Sequence, residues 1–252
     1  IICPNPRSYE VTNLLVYKIK KIFRENSIPD EIVNIVPKSV LRSEELISIF
    51  DSCDKNIVTG NKNFINKVRK SSRPFLTFGV GNVPVIINHD ANLSYAIKSI
   101  IKSKTFDNST SCSADSVLIV HEKIYKKFLK KLLLNKCYVL NKNDKEKLNK
   151  IYFTKGFVNP NIIGKDAKSI LKFIEVKENN KKLIIYEKNK FDKNHFIFNE
   201  KIMPIIGLIS FKSIDDAKKI SKNILEINGL GHSAGIYSNN KKFILEISKE
   251  LN

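Results

Sequence analysis

Apolar positions along the chain switch between two rhythms, and the switching predicts an α/β fold. Tyr9 to Glu25 carries Val11, Leu14, Leu15, Ile19, Ile22 and Phe23 at helical spacing. Phe75 to Phe78, Val83 to Ile87, Val117 to Val120 and Pro204 to Phe211 are short unbroken apolar runs of the kind buried strands show. Helical patterns fill Ser43 to Phe50, Asn61 to Ser71, the stretch ending at Lys104, Ile124 to Leu134 and Ile214 to Ile227. Ser43 and Asp90 stand where caps are wanted. Glu31 to Val36, Asn56 to Thr59 and Ala234 to Tyr237 read as further strands, and Ile1-Ile2 as the end of another, turned by Pro4-Asn5-Pro6. Residues 135 to 200, rich in Lys and Asn, have weak periodicity. The seam between two domains is expected near residues 74–82.

Composition narrows this reading. A chain of 252 residues can bury one large core or two smaller ones. No apolar run approaches the ~20 residues that cross a bilayer, so no membrane role is expected. Cys3, Cys53, Cys112 and Cys137 form no CxxC pair, which argues against a zinc site or a disulfide framework and for a reducing, cytoplasmic setting. His89, His121 and His195 have no metal-ligand spacing. The only methionine is Met203. The chain opens on Ile1-Ile2-Cys3-Pro4 and stops at Leu251-Asn252 within a helix-like pattern, so a fragment lacking both ends is expected. Net charge is +19, but the lysines are scattered and the arginines are only Arg7, Arg24, Arg42, Arg69 and Arg73. Nucleic-acid readers favour arginine interleaved with aromatics, so nucleic acid is not an expected partner. The densest stretch, Glu122 to Lys150, reads as a helix with a solvated lysine face.

Candidate chemistry centres on Cys112, within Ser103-Lys104-Thr105-Phe106-Asp107-Asn108-Ser109-Thr110-Ser111-Cys112-Ser113. A cysteine in a polar turn of small residues suits a nucleophile, which reacts as the exposed thiolate; the other use of a cysteine is as a small packed hydrophobe. Five further motifs stand in order around it. They are Pro4-Asn5-Pro6, Thr59-Gly60-Asn61, Gly79-Val80-Gly81-Asn82-Val83-Pro84, Asn199-Glu200-Lys201-Ile202-Met203-Pro204 and Gly229-Leu230-Gly231-His232-Ser233. Together with the cysteine turn they resemble the aldehyde dehydrogenase superfamily, in its CoA-acylating branch.

The resemblance implies part of a Rossmann-type cofactor domain at residues 1–78 and an α/β catalytic domain at residues 79–252. It implies that Cys112 attacks an aldehyde, that hydride passes to NAD or NADP, and that coenzyme A takes the acyl group from the resulting thioester. Glu200 matches the glutamate that holds the nicotinamide ribose; out of that context it would be an ordinary surface glutamate. Gly60 and Asn61, with Lys62 next, would face the pyrophosphate, or form a plain strand-to-helix turn. Pro4 and Asn5 would border the adenosine, and Gly79 would border the cofactor. Arg7 is either a partner for a ribose 2′-phosphate or a surface charge. His232 either orients the thioester near the nicotinamide or is a satisfied, half-buried histidine. Thr77 stands where hydrolytic relatives carry a base, and no carboxylate lies between Arg73 and Asn82, which suits transfer to a thiol. Cys3, Cys53 and Cys137 are expected to pack. The implied partners are a small aldehyde, sulfoacetaldehyde first and acetaldehyde or propionaldehyde next, and further copies of the full-length chain. A catalytically incompetent fold remnant is the alternative.

Overall fold

Val83–Ile87 and Asp115–His121 bury almost every residue they contain, and only a sheet covered on both faces can hide side chains that alternate up and down. A computed structural model describes residues 1–60 and 62–251. Asn61, expected at the pyrophosphate turn, lies outside the described residues, as does the side chain of Lys62. The chain forms two compact units, Ile1–Phe78 and Gly79–Asn252.

The first unit holds α1 (Tyr9–Glu25), α2 (Glu45–Asp51), β1 (Asn56–Thr59), α3 (Lys62–Val68) and β2 (Phe75–Phe78). β1 and β2 pair in parallel from Asn56–Phe75 to Thr59–Phe78, so β1-α3-β2 is a βαβ crossover. A small core of Val36, Leu41, Leu46, Phe50, Val58 and Val68 supports it. Glu31 to Val36 is not the expected strand: Asp30–Ile32 is a 3₁₀ turn, and only Ile35 makes a bridge, parallel to Ile2. Pro29 ahead of the turn and the single paired residue explain why no ladder grows. Ser43 does not cap α2; its hydroxyl donates to Val40 O at 2.9 Å and closes the preceding turn.

The second unit runs β3 (Val83–Ile87), α4 (Leu93–Thr105), β4 (Asp115–His121), α5 (Glu122–Leu134), β5 (Cys137–Val139), α6 (Lys142–Tyr152), β6 (Phe153–Thr154), β7 (Phe157–Val158), α7 (Ala167–Phe173), β8 (Leu183–Glu187), β9 (Ile205–Phe211), α8 (Ile214–Ile227), β10 (Gly235–Tyr237) and α9 (Lys241–Ser248). Its main sheet has six parallel strands in the order β10-β3-β4-β9-β8-β5. Alternate residues feed two cores. Ile86, Val117, Ile119 and Ile184 face α6, α7, α8 and α9. Val85, Ile87, Leu118 and Val120 face α4 and α5.

Glu122 to Lys150 is not one helix: α5 and α6 flank the edge strand β5, whose Cys137 is buried. Asp90 does not cap α4. Asn92 does, accepting from Tyr95 N at 3.1 Å, while the Asp90 carboxylate accepts from Ser238 Oγ and Asn239 N beyond β10. Among the described residues no helix is long and apolar enough to cross a membrane.

Candidate active site

The motifs at 79–82, 106–114, 199–204 and 229–233 immediately precede β3, β4, β9 and β10. These strands are parallel and stand side by side as β10-β3-β4-β9, so the four segments gather along one rim of the sheet, at the strands' amino ends. They meet at Gly81. Its N–H donates to Glu200 Oε1 at 2.9 Å. A Cβ built on it would stand 1.9 Å from Cys112 O and 2.8 Å from the Cys112 carbonyl carbon, so no residue but glycine fits without moving backbone. Gly229, at φ +97, packs in the same way against Asn82, where a Cβ would lie 3.0 Å from Asn82 N. Cys112 is exposed, and Glu200 is half-buried. Burial raises the Glu200 pKa, against the opposing pull of the Gly81 N–H, Lys104 and Lys201.

The turn that carries Cys112 is strained. Asp107, Asn108 and Ser109 are left-handed in succession, at φ 46, 49 and 66, and each such residue without glycine's freedom costs of order 1–3 kcal/mol. The turn is tied down on both sides. Thr110 Oγ1 donates to the Asp107 carboxylate and to Asp107 O, Asn108 Nδ2 donates to Gly164 O at 3.0 Å, and Ser109 Oγ donates to Lys201 O at 3.3 Å.

Behind the turn lie two buried lysines that the sequence reading passed over. Lys104 Nζ donates to Lys201 O at 3.0 Å. Lys201 Nζ donates to Ser116 Oγ at 2.8 Å and to the carbonyls of Ile197 and Asn199 at 2.6 Å each. These three acceptors match the three protons of an ammonium. Ser116 Oγ in turn donates a hydrogen bond to Asn82 Oδ1 at 2.8 Å, and Asn82 Nδ2 donates to Phe198 O and Ile224 O. Burial brings Lys104 down to about 7, opposed by Asp115 and Glu200. Burial and the charge of Lys104 push Lys201 well below its ordinary range. Burial raises Asp115 to about 6. Lys104 was findable: it continues the buried α4 stripe of Leu93, Ala96, Ile97 and Ile100. Nothing periodic marks Lys201.

The remaining expected residues fall into two groups. In the second unit, His232 is half-buried and its Nδ1 lies 3.0 Å from Ser233 Oγ; among the described residues no hydrogen bond joins it to Cys112 or Glu200. Gly79 has open space around it. In the first unit, Asn5 Oδ1 accepts from Arg7 N at 2.9 Å and caps the 3₁₀ turn that Pro6 opens after Pro4, while Arg7 is exposed. Gly60 closes β1 by donating to Phe78 O at 3.3 Å, and Thr77 is half-buried in β2. Cys3 and Cys53 are half-buried. Among the described residues no cluster of His, Cys, Asp or Glu could hold a metal ion.

Comparison with known proteins identifies the family. The aldehyde dehydrogenase family profile matches residues 7–252. An aldehyde-alcohol dehydrogenase of Clostridium acetobutylicum is 28% identical over 240 residues, which is 95% of this chain and 28% of that protein. A sulfoacetaldehyde dehydrogenase of an Acholeplasma species is 28% identical over 258 residues, covering 100% of this chain and 52% of that protein. The solved structure of a propionaldehyde dehydrogenase from the Clostridium phytofermentans fucose-utilisation bacterial microcompartment superposes with a TM-score of 0.89 at 28% identity, over 98% of this chain and 57% of that one. The chain thus spans about half or less of the relatives it matches.

Two outcomes follow from the packing. Gly81→Ala forces backbone apart and is expected to cost about 1–3 kcal/mol, whereas Gly79→Ala, with open space, stays within about 0.5 kcal/mol; urea denaturation of both variants checks the contrast. Lys104 binds a proton at about 7 when folded and at 10.5 when unfolded. Between those values the unfolded chain holds more protons, so native stability rises with pH. The stability of the native protein relative to Lys104→Met is therefore expected to climb from pH 7 to 10.5, by at most roughly 5 kcal/mol. A flat difference across that window contradicts the placement of Lys104.

Proposed function

Because the chain belongs to the aldehyde dehydrogenase family, in its CoA-acylating branch, we propose that it oxidises a small aldehyde to the acyl-CoA through a thioester on Cys112. The observation that carries this reading is the meeting of Cys112 and Glu200 on one glycine. A nucleophile and a hydroxyl-binding carboxylate at one rim are what a dinucleotide-dependent oxidation of a carbonyl requires.

The residues present fit such a dinucleotide. Gly81 N–H occupies Oε1 of Glu200 and fixes the carboxylate, and Oε2 has no hydrogen bond among the described residues, so it is free to accept from a ribose hydroxyl. The cofactor, NAD⁺ or NADP⁺, supplies the hydride acceptor. In the first unit, Gly60 and Asn61 are the proposed pyrophosphate turn, with Pro4 and Asn5 on the adenosine side, and in the second unit Gly79 is proposed to border the cofactor. His232 is the proposed group that orients the thioester.

On the protein side, the Cys112 thiolate forms a C–S bond to the aldehyde carbon, leaving an oxyanion. The oxyanion re-forms the carbonyl as the carbon's hydride departs, and Cys112 is left acylated. The thiolate of coenzyme A then attacks the thioester carbon, the bond to Cys112 breaks, and the Cys112 thiolate returns. The absence of a carboxylate from 74 to 81 supports this sequel, since no side chain there draws a proton from water. The aldehyde is small, with sulfoacetaldehyde the first candidate and acetaldehyde and propionaldehyde next.

The test follows NAD(P)H formation with sulfoacetaldehyde, acetaldehyde and propionaldehyde, with and without coenzyme A. Sustained turnover is expected only with coenzyme A. Cys112→Ala is expected to lower it by about 10³-fold or more, and Glu200→Gln to raise KM for the dinucleotide by roughly tenfold. Steady oxidation that ignores coenzyme A, or full turnover by Cys112→Ala, overturns the proposal.

A further inference from the structure

Beside the cysteine turn lies a cavity of about 320 Å³, at the small end of the ~300–1,000 Å³ typical of ligand sites. One wall is the exposed side of α4, where Ser99, Lys102, Ser103 and Phe106 follow one another at helical spacing. The other wall is Ser111 and Ser113, the two neighbours of Cys112. The cavity therefore borders both chain neighbours of the nucleophile, and exposed Cys112 stands between them in the turn.

Its charge is lopsided. The Lys102 ammonium has no hydrogen bond or ion pair among the described residues. Ser111 Oγ and Ser113 Oγ lie 3.0 Å apart, so one hydroxyl proton serves their mutual bond and the other is left to donate outward. No carboxylate lines the cavity: Asp107 accepts from Thr110, and half-buried Asp115 accepts from Ser103. Phe106 is 67% exposed and gives the cavity an apolar flank.

We infer that this cavity seats the far end of the substrate, and that this end is a small anion, a sulfonate or a carboxylate, paired with Lys102. The inference deepens the proposed function and rests on Cys112 being the nucleophile. It makes Lys102 the residue that selects an anionic aldehyde over a neutral one of equal length.

Alkylation tests this without turnover. Iodoacetate and iodoacetamide differ in one group, carboxylate against neutral amide, and the methanethiosulfonate reagents bearing ethylsulfonate or ethyltrimethylammonium carry the sulfonate arm and its opposite charge. Labelling of Cys112 by each is followed by peptide mass spectrometry in the native chain, in Lys102→Met, and in Lys142→Met, whose lysine opens α6 on the other face of the sheet. In Lys102→Met the anionic-to-neutral rate ratio is expected to fall about three- to tenfold at low ionic strength and by less in salt, while Lys142→Met leaves it unchanged. The arm that loses more names the tail. An unchanged ratio, or an equal fall in Lys142→Met, which would mark the attraction as belonging to the net charge of +19, overturns the inference and leaves the proposed function standing. Iodoacetamide reacting with Cys112 no faster than with half-buried Cys53 overturns both.

Discussion

The rim of the sheet depends on one close approach, the backbone of Gly81 against the carbonyl of Cys112. The segments leading into β3 and β4 come so near that no side chain fits between them, and the glycine's N–H is then spent on Glu200. The contact makes a closed circuit. Cys112 rests on Gly81, Gly81 holds Glu200, the next residue's carbonyl accepts from Lys104 and Ser109, and Ser109 lies at the foot of the turn that carries Cys112. A displacement of any member is felt by the others, because a packed circuit of backbone has few ways to relax.

Such a circuit can hold a costly conformation. Three left-handed residues in succession are unfavourable in isolation, and two buried amines add desolvation to the cost. What opposes these terms is saturation: Lys201 has an acceptor for each ammonium proton, and Asn82 uses both N–H groups and its oxygen. Among the described buried side chains no nitrogen or oxygen is left without a partner. A satisfied polar network under a strained turn keeps the turn in one geometry, which is what a nucleophile and a carboxylate need if they are to share a substrate.

The parts of this that the sequence displays are those with a period. β3, β4 and β9 are visible as apolar runs, and α1 and α8 as amphipathic stripes whose observed bounds coincide with the patterns. The order of the motifs around Cys112 was visible too, as residue types. Their convergence was not, because it comes from strand order: nothing in the sequence says that β9 stands beside β4 as well as β8, or that β10 leaves β9 to stand beside β3. Residues 135 to 200 hid α6, α7 and β8 because lysine and asparagine dilute the apolar period, as in the polar segment Lys142–Tyr152. Lys201 was hidden for the opposite reason. A charged residue in a lysine-rich chain reads as surface, and only three dimensions show its ammonium enclosed by carbonyls.

The same composition obscures how charge is used near Cys112. Lys102 and Lys104 sit two positions apart on α4, which turns them to different sides of the helix. Lys104 points inward and is bound to the segment that carries Glu200, whereas Lys102 is exposed and borders the open cavity. One lysine thus positions and the other is available to attract. The absent carboxylate before Asn82 completes the division of labour. In the proposed reaction, with no carboxylate at 74–81 to activate water, the acylated cysteine passes its acyl group to an acceptor that already carries a good nucleophile, a thiol. The proposed outcome, thioester to thioester, follows from which charged groups stand around the cysteine and which do not.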